Sequence, residues 1–266
     1  LFEGAALRAL IKLGGTLAED VELLRDLAGQ IVAAQAAGIK LFVVHGGGRQ
    51  LTRALERRGI ESRFSGGLRV TGDEAMQTVA EVLGGSVNTQ IVAAIRREGG
   101  SAVGLTGVDA RITTATQLSR ELGAVGRIIG LDPELLHLLS NNGYIPVIAC
   151  LAGDDNGALY NVNADQMASA CAAAVQADHL VFLTDVPGVR DATGNWAGQL
   201  DIAAVAELIA TGVATGGMQA KLNAAAAALE SAVPTVTIAA GAPGVLAKIF
   251  AGSAAGTTLV RSRSTS

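Results

Sequence analysis

An α/β fold on a mainly parallel sheet is what this sequence predicts, and three observations carry it. Short apolar runs of strand length alternate with longer segments of helical periodicity almost throughout. Two glycine clusters follow directly on such runs, where the loops at the carboxyl ends of parallel strands would lie. The 266 residues are 50% hydrophobic but only 3% aromatic, and alanine is abundant, so the core is built from small aliphatics. That length makes one large or two small domains with ample core.

The elements follow in order. Residues 7–13 read as a strand ending at Gly14-Gly15. Residues 20–37 read as a helix, with Val21, Leu24, Leu27, Ile31 and Ala34 at helical spacing and Gly38 as its stop. Residues 41–44 are a buried strand, followed at once by His45-Gly46-Gly47-Gly48 and a helix to about Arg58. Residues 73–83 and 87–98 read as two separate helices, and 102–105 as a short strand. Residues 107–130, rich in Thr, Arg and Gly, read as a small antiparallel excursion with β fragments at 111–114 and 124–129. Alternation then resumes, with helices at 133–140, 163–176, 202–211, 218–231 and 245–250. The strands between them fall at 145–149, 180–183, 235–238 and 257–260. This alternation argues a parallel sheet with helices on both faces.

Composition narrows the function. Twenty Lys and Arg against 24 Asp and Glu give a net charge of −4, with no basic tract, which disfavours nucleic acid and anionic membranes as partners. The mean hydropathy is positive at +0.40, yet no unbroken apolar run reaches the roughly 18 residues of a membrane span. Cys150 and Cys171 sit in apolar runs and read as buried thiols, without the spacing of a zinc site. With no signal peptide evident, a reducing cytoplasm is the expected location.

Several residues stand out chemically. Neither glycine cluster fits G-x-G-x-x-G, since Leu51 takes the last position, and no G-x-x-x-x-G-K-[ST] loop occurs. Tight turns would explain either cluster alone, whereas two on successive strands favour phosphate binding. Lys12 is a charge inside an apolar strand, aimed at an anion or snorkelling to water. Lys221 follows Gly216-Gly217-Met218 at an expected helix start, where the helix dipole disfavours a cation unless an anion is near; a solvated helix lysine is the alternative. Either Asn161 or Asn163 could cap a helix whose first turn holds Asp165. Asp165 serves the dipole there or organises cations. The 184–188 turn is a plain turn or a nucleotide loop, and Arg69 is a carboxylate clamp or a surface arginine. His45 reads as structural, and His137 and His179 lie apart from it, so no metal cluster is expected.

In their order and spacing these segments resemble the amino-acid kinase family, and within it the kinases that act on N-acetyl-L-glutamate. The matching strings are IKLGG at 11–15, VVHGGG at 43–48, GLRVT at 67–71, NNGYIPVIA at 141–149, YNVNADQ at 160–166, TDVPGV at 184–189 and GGMQAK ending at Lys221. The resemblance implies one domain over 1–266, an open αβα sandwich. About 1–150 would form the amino-acid lobe and subunit contact, and about 151–266 the ATP lobe. It implies transfer of the γ-phosphoryl of ATP, as its Mg²⁺ complex, to the side-chain carboxylate of N-acetyl-L-glutamate in arginine biosynthesis. Lys12 and Lys221 would stabilise the transferring group, with Asp165 positioning both. Gly15, Gly47 and Gly48 would donate backbone amides near that group. Gly46, Gly47, Arg69 and Asn161 would contact acetylglutamate. Asp185, Val186, Pro187, Gly188, Val189 and Arg190, with Val213, Ala214 and Thr215, would contact ATP. Arg49 stands where the family has proline, and GVDAR at 107–111 is looser than the family's string. The absence of an acid in 253–257 and the few residues before the first strand point to an arginine-insensitive homodimer. The alternatives are a sister kinase on aminoadipate or glutamate derivatives and a non-catalytic nucleotide or amino-acid sensor.

Overall fold

The computed structural model describes residues 6–261; the outer ends of the expected domain, 1–5 and 262–266, lie outside them. β1 (Arg8–Leu13) has five consecutive buried residues after Arg8, the pattern of a strand covered on both faces. The chain turns at Gly14-Gly15 into α1 (Val21–Ala36). Asp20 caps this helix by accepting from the amides of Glu22 and Leu23, and Gly38 at φ 91° lets the chain leave it. β2 (Lys40–His45) and α2 (Gly48–Arg57) repeat the unit, with only Gly46-Gly47 between them. A hairpin follows, β3 (Phe64–Ser65) and β4 (Leu68–Arg69).

The two helices expected over 73–98 are one unbroken rod. α3 (Asp73–Val79) passes into a π-helical stretch, Ala80–Val87, and on into α4 (Asn88–Arg97). Residues 84–86, the gap between the two expected helices, lie inside that π-helical stretch. Next come β5 (Ala102–Thr106), β6 (Thr113–Gln117), β7 (Gly126–Leu131), α5 (Glu134–Asn141) and β8 (Ile145–Ala149). β6 begins later than expected because Ala110 and Arg111 take left-handed backbone angles, φ 48° and 59°, in a 3₁₀ turn. β6 and β7 form the expected antiparallel pair. β9 (Leu151–Gly153) and β10 (Leu159–Asn161), outside the expected 107–130 excursion, join them in a four-stranded sheet, order β10-β9-β6-β7, in which β6 and β9 pair in parallel.

The last third comprises α6 (Ala164–Ala174), β11 (His179–Thr184), β12 (Gln199–Asp201), α7 (Ile202–Ala210), α8 (Gly216–Glu230), β13 (Thr235–Ala240), α9 (Val245–Phe250) and β14 (Thr257–Val260). The main sheet runs β12-β14-β13-β11-β1-β2-β8-β5. Its neighbours are parallel except for β13 and β14. The expected mainly parallel α/β architecture is therefore present.

β1 sits mid-sheet with β2 on one side and β11 on the other, so the chain winds outward in both directions from it. Such a reversal opens a crevice at the carboxyl ends of the strands, where α/β sheets bind ligands. The register brings Leu13 level with His45 and Leu183, so the loops after all three strands meet at one edge.

Candidate active site

The sharpest feature at that edge is a buried triad of charges. Lys12 on β1, Asp165 in the first turn of α6 and Lys221 on α8 are each less than a tenth exposed. Lys12 Nζ lies 2.7 Å from Asp165 Oδ1, and Lys221 Nζ donates to both carboxylate oxygens at 3.1 Å. Phe182 on β11 offers its ring face 5.2 Å from Lys221 Nζ. Burial alone would raise the Asp165 pKa, but the two ammoniums outweigh it and hold the carboxyl below its usual range. Burial pushes Lys221 down to about 8, Lys12 adds repulsion, and Asp165 counters both. Two cations share one anion, so the cluster keeps an uncompensated positive charge.

Small residues make this meeting possible. Asn163 caps α6 by accepting from the amides of Asp165 and Gln166, which fixes the turn carrying the carboxylate. α8 packs close to α6 through alanines, and Ser169 Oγ donates to the carbonyl of Ala224 at 2.7 Å. α8 begins at Gly216, so Lys221 lies in the second turn rather than the first. Lys221 is therefore outside the first turn where the helix dipole disfavours a cation, contrary to the expected helix-start position, and it is instead buried beside Asp165.

The glycine loops form the floor. A Cβ on Gly15 would stand 3.0 Å from the Gly48 nitrogen, so glycine there allows the loops after β1 and β2 to touch. Among the described residues, the amides of Gly15 and Gly47 have no hydrogen-bond acceptor. The first turns of α2 and α8 have no side-chain cap. Free amides beside buried lysines make a site for an anion.

Beside this floor lies a cavity of about 160 Å³ whose lining includes all four residues expected to contact the amino acid: Gly46, Gly47, Arg69 and Asn161. Arg69 is buried, which lowers its pKa. Its guanidinium donates to Ser62 Oγ (2.5 Å), Thr52 Oγ1 (2.7 Å) and the Gly48 carbonyl (3.0 Å), over the Phe64 ring. No carboxylate pairs with it among the described residues. Asn161 is on β10, its amide donating to Thr71 Oγ1, and Asn163 is the helix cap. Cys150 also lines the cavity; burial pushes its thiol up to about 12, and that of buried Cys171 likewise.

A wider cleft of about 790 Å³ adjoins the small cavity, the two sharing Gly67, Leu68 and Asn163, and runs between α6 and α8 from Gly216 to Ser231. The expected ATP loops line neither cavity. Val189 is buried and donates its amide to Thr257 Oγ1, and Gly188 is pressed against the same hydroxyl. These two residues hold the 185–190 loop to β14. Asp185 and Pro187 face solvent, Val186 is half-buried, and Arg190 stacks on Trp196 at 4.1 Å. Val213 is exposed and Ala214 buried, and Thr215 leads straight into Gly216 at the cleft. Sequence reasoning missed the groups that hold the site residues: Ser62, Thr52 and Phe64 around Arg69, and Phe182 under Lys221. Only Thr52, one turn beyond Gly48 on α2, left a readable signal.

A model described as the amino acid kinase family matches residues 8–240. A protein named acetylglutamate kinase from Solibacter usitatus is 54% identical over 255 residues, covering 96% of this chain and 99% of its own. Another of that name, from Koribacter versatilis, is 42% identical over 235 residues, covering 87% and 90%. Among solved structures, N-acetylglutamate synthase from Neisseria gonorrhoeae, complexed with coenzyme A and N-acetyl-glutamate, superposes with a TM-score of 0.86 at 26% identity. That match covers 96% of this chain but only 59% of the synthase. A carbamate kinase from Giardia shares the fold, with a TM-score of 0.71 at 15% identity over 97% of this chain and 99% of its own.

Proposed function

The chain belongs to the amino acid kinase family, and from that premise we propose that it phosphorylates the side-chain carboxylate of N-acetyl-L-glutamate. ATP is the donor, the products are N-acetylglutamyl 5-phosphate and ADP, and the step serves arginine biosynthesis. The observation that carries the reading is the buried Lys12–Asp165–Lys221 cluster beside a cavity lined by Arg69, which no carboxylate pairs among the described residues.

The chemistry asks for what the cluster offers. A carboxylate with an ordinary pKa near ~4 is already ionised at pH 7, so no general base is needed. The obstacle is bringing one anion onto a polyanion, and phosphoryl transfer is mostly positioning and charge stabilisation. Arg69 takes the substrate's α-carboxylate, and Asn161 and the Gly46-Gly47 backbone orient the rest. Lys12 and Lys221 take the charge on the transferring group, the amides of Gly15, Gly47 and Gly48 assist, and Asp165 keeps the two ammoniums together. ATP enters as its Mg²⁺ complex, the ion held by phosphates and water. The base and ribose lie toward the 185–190 loop and Val213–Ala214–Thr215. Residues up to about 150 supply the amino-acid lobe and the subunit contact of a homodimer, and the remainder the ATP lobe. The acidic balance and the absence of a long apolar helix among the described residues accord with a cytoplasmic enzyme.

An ATP-consumption assay across acetylglutamate, glutamate and acetylated aminoadipate tests the reading. Turnover is expected with acetylglutamate. Turnover confined to another acceptor would move the protein to a sister activity, and nucleotide binding without turnover would make it a sensor.

A further inference from the structure

One buried polar chain beside the site takes no part in the chemistry above. His45 ends β2 and is wholly buried. Its Nδ1 lies 2.9 Å from the carbonyl oxygen of Gly46, and its Nε2 lies 3.0 Å from the side-chain nitrogen of Asn88, the first residue of α4. The Asn88 amide nitrogen also lies 2.9 Å from the carbonyl oxygen of Val147 and 3.3 Å from that of Leu105. Its two hydrogens serve the two nearer acceptors, Val147 and His45, with Leu105 at most sharing one of them, and the two carbonyls fix the nitrogen, not the oxygen, toward His45. An amide nitrogen can only donate, so Nε2 must accept and the ring proton must sit on Nδ1, where it bonds Gly46. Burial lowers the His45 pKa to about 4, so the ring stays neutral at physiological pH.

The consequence lies across one peptide bond. In a trans peptide the C=O and the following N–H point in opposite directions. With the Gly46 oxygen drawn to the His45 ring, the Gly47 N–H points away from it. That nitrogen would be 3.4 Å from a Cβ on Gly15, between the two glycine loops, and its N–H has no acceptor among the described residues. Leu83 and Val87 of the π stretch close the other side, since a Cβ on Gly47 would come within 2.6 Å of Leu83 Cδ2. We propose that Asn88 and His45 are positioning residues for the phosphoryl-transfer site: Asn88 selects the His45 tautomer, His45 holds the Gly46 carbonyl, and the Gly47 N–H is thereby aimed at the reacting anion. The inference rests on the kinase reading for the identity of that anion; the hydrogen-bond order itself does not.

Two measurements on the intact protein test it. Nitrogen-15 NMR of histidine-labelled wild type, with His45 assigned by its loss in a variant, should show Nδ1 protonated and Nε2 bare. An Nε2–H tautomer or an imidazolium at pH 7 overturns the proposal whatever the activity. In kinetics, Asn88→Leu should lower kcat about tenfold, less than the 10²–10³ of deleting an oxyanion donor outright, with KM for each substrate within about threefold. His45→Asn places an amide N–H where Nδ1–H was and should keep most of kcat. His45→Gln carries its amide one bond too far and should lose about tenfold. Equal kcat for the Asn and Gln variants overturns the proposal even if Asn88→Leu fails to fold. Failure of the kinase reading would show separately, as a wild type without acetylglutamate turnover.

Discussion

Asp165 can serve either the dipole of α6 or the two lysines, and one isosteric change separates the roles. As a helix-start acid alone, Asp165→Asn would cost about 0.3–1 kcal/mol and little activity. As the bridge, its loss leaves two buried ammoniums repelling each other at the transfer centre. We expect kcat to fall by at least ~100-fold, the scale of a lost transition-state contact, with nucleotide affinity mostly kept. Melting temperature, nucleotide affinity and kcat on that variant decide it, and a wild-type kcat would leave only the capping role. Arg69 makes its three polar contacts around the small cavity, with Ser62, Thr52 and Gly48 rather than with the charged triad. Arg69→Ala should therefore raise KM for acetylglutamate far more than KM for ATP. Equal rises would place the guanidinium outside the amino-acid pocket.

Between elements, the decisive contact is α6 against α8, because it carries Asp165 to Lys221. Ser169 is buried in that seam, its Oγ 2.7 Å from the carbonyl of Ala224 and 3.0 Å from that of Asp165, so its single hydroxyl hydrogen goes to Ala224 across the seam, the shorter contact. Ser169→Ala should lose about 1 kcal/mol of stability, one net hydrogen bond, and keep kcat. Ser169→Val removes that donor and adds branching beside Ala224, where the seam meets the cleft, costing about 1–3 kcal/mol, and should lower kcat as well by shifting α8 against α6. Denaturant unfolding and kcat on both variants test this; equal kcat values would mean that the seam tolerates the branch without moving Lys221. The sequence patterns were legible wherever an element was long enough to show a period, as in β1, α1 and the α6 segment opening at Asn163. They were silent on β3, β4, β9, β10 and β12, whose two or three residues show none. The gap left between the expected helices at 73–83 and 87–98 is instead continuous, because residues 84–86 lie inside the π-helical stretch. The lysines and Asp165 could be singled out because charge in an apolar run is rare. Ser62 and Asn88 could not, because their partners are brought to them only by the tertiary fold.

The whole molecule carries the cost of its own site. Lys221 has a pKa near 8 in the folded protein against 10.5 when unfolded. Between those values the unfolded chain binds the extra proton, so stability rises as pH increases from about 8 toward 10.5. Below about 8 the native state bears the full penalty of the buried ammonium. Lys221→Met removes that charge yet leaves Asp165 paired with Lys12 at 2.7 Å, so no orphaned carboxylate results. At pH 7 this variant should melt a few degrees above wild type while its kcat falls at least ~100-fold, a trade of stability for function. The gap in melting temperature should shrink as pH rises past 8, since wild type then sheds the same proton. A non-hydrolysable ATP analogue should raise the wild-type melting temperature and leave the variant's largely unmoved, because the phosphates supply the missing negative charge only where both lysines await it. In the free enzyme, kcat/KM for ATP should decline on the alkaline side near pH 8, with the limb of kcat itself shifted higher once bound phosphate favours the ammonium. A Lys221→Met protein less stable than wild type at pH 7 would show that Lys221 is held for packing rather than for an anion.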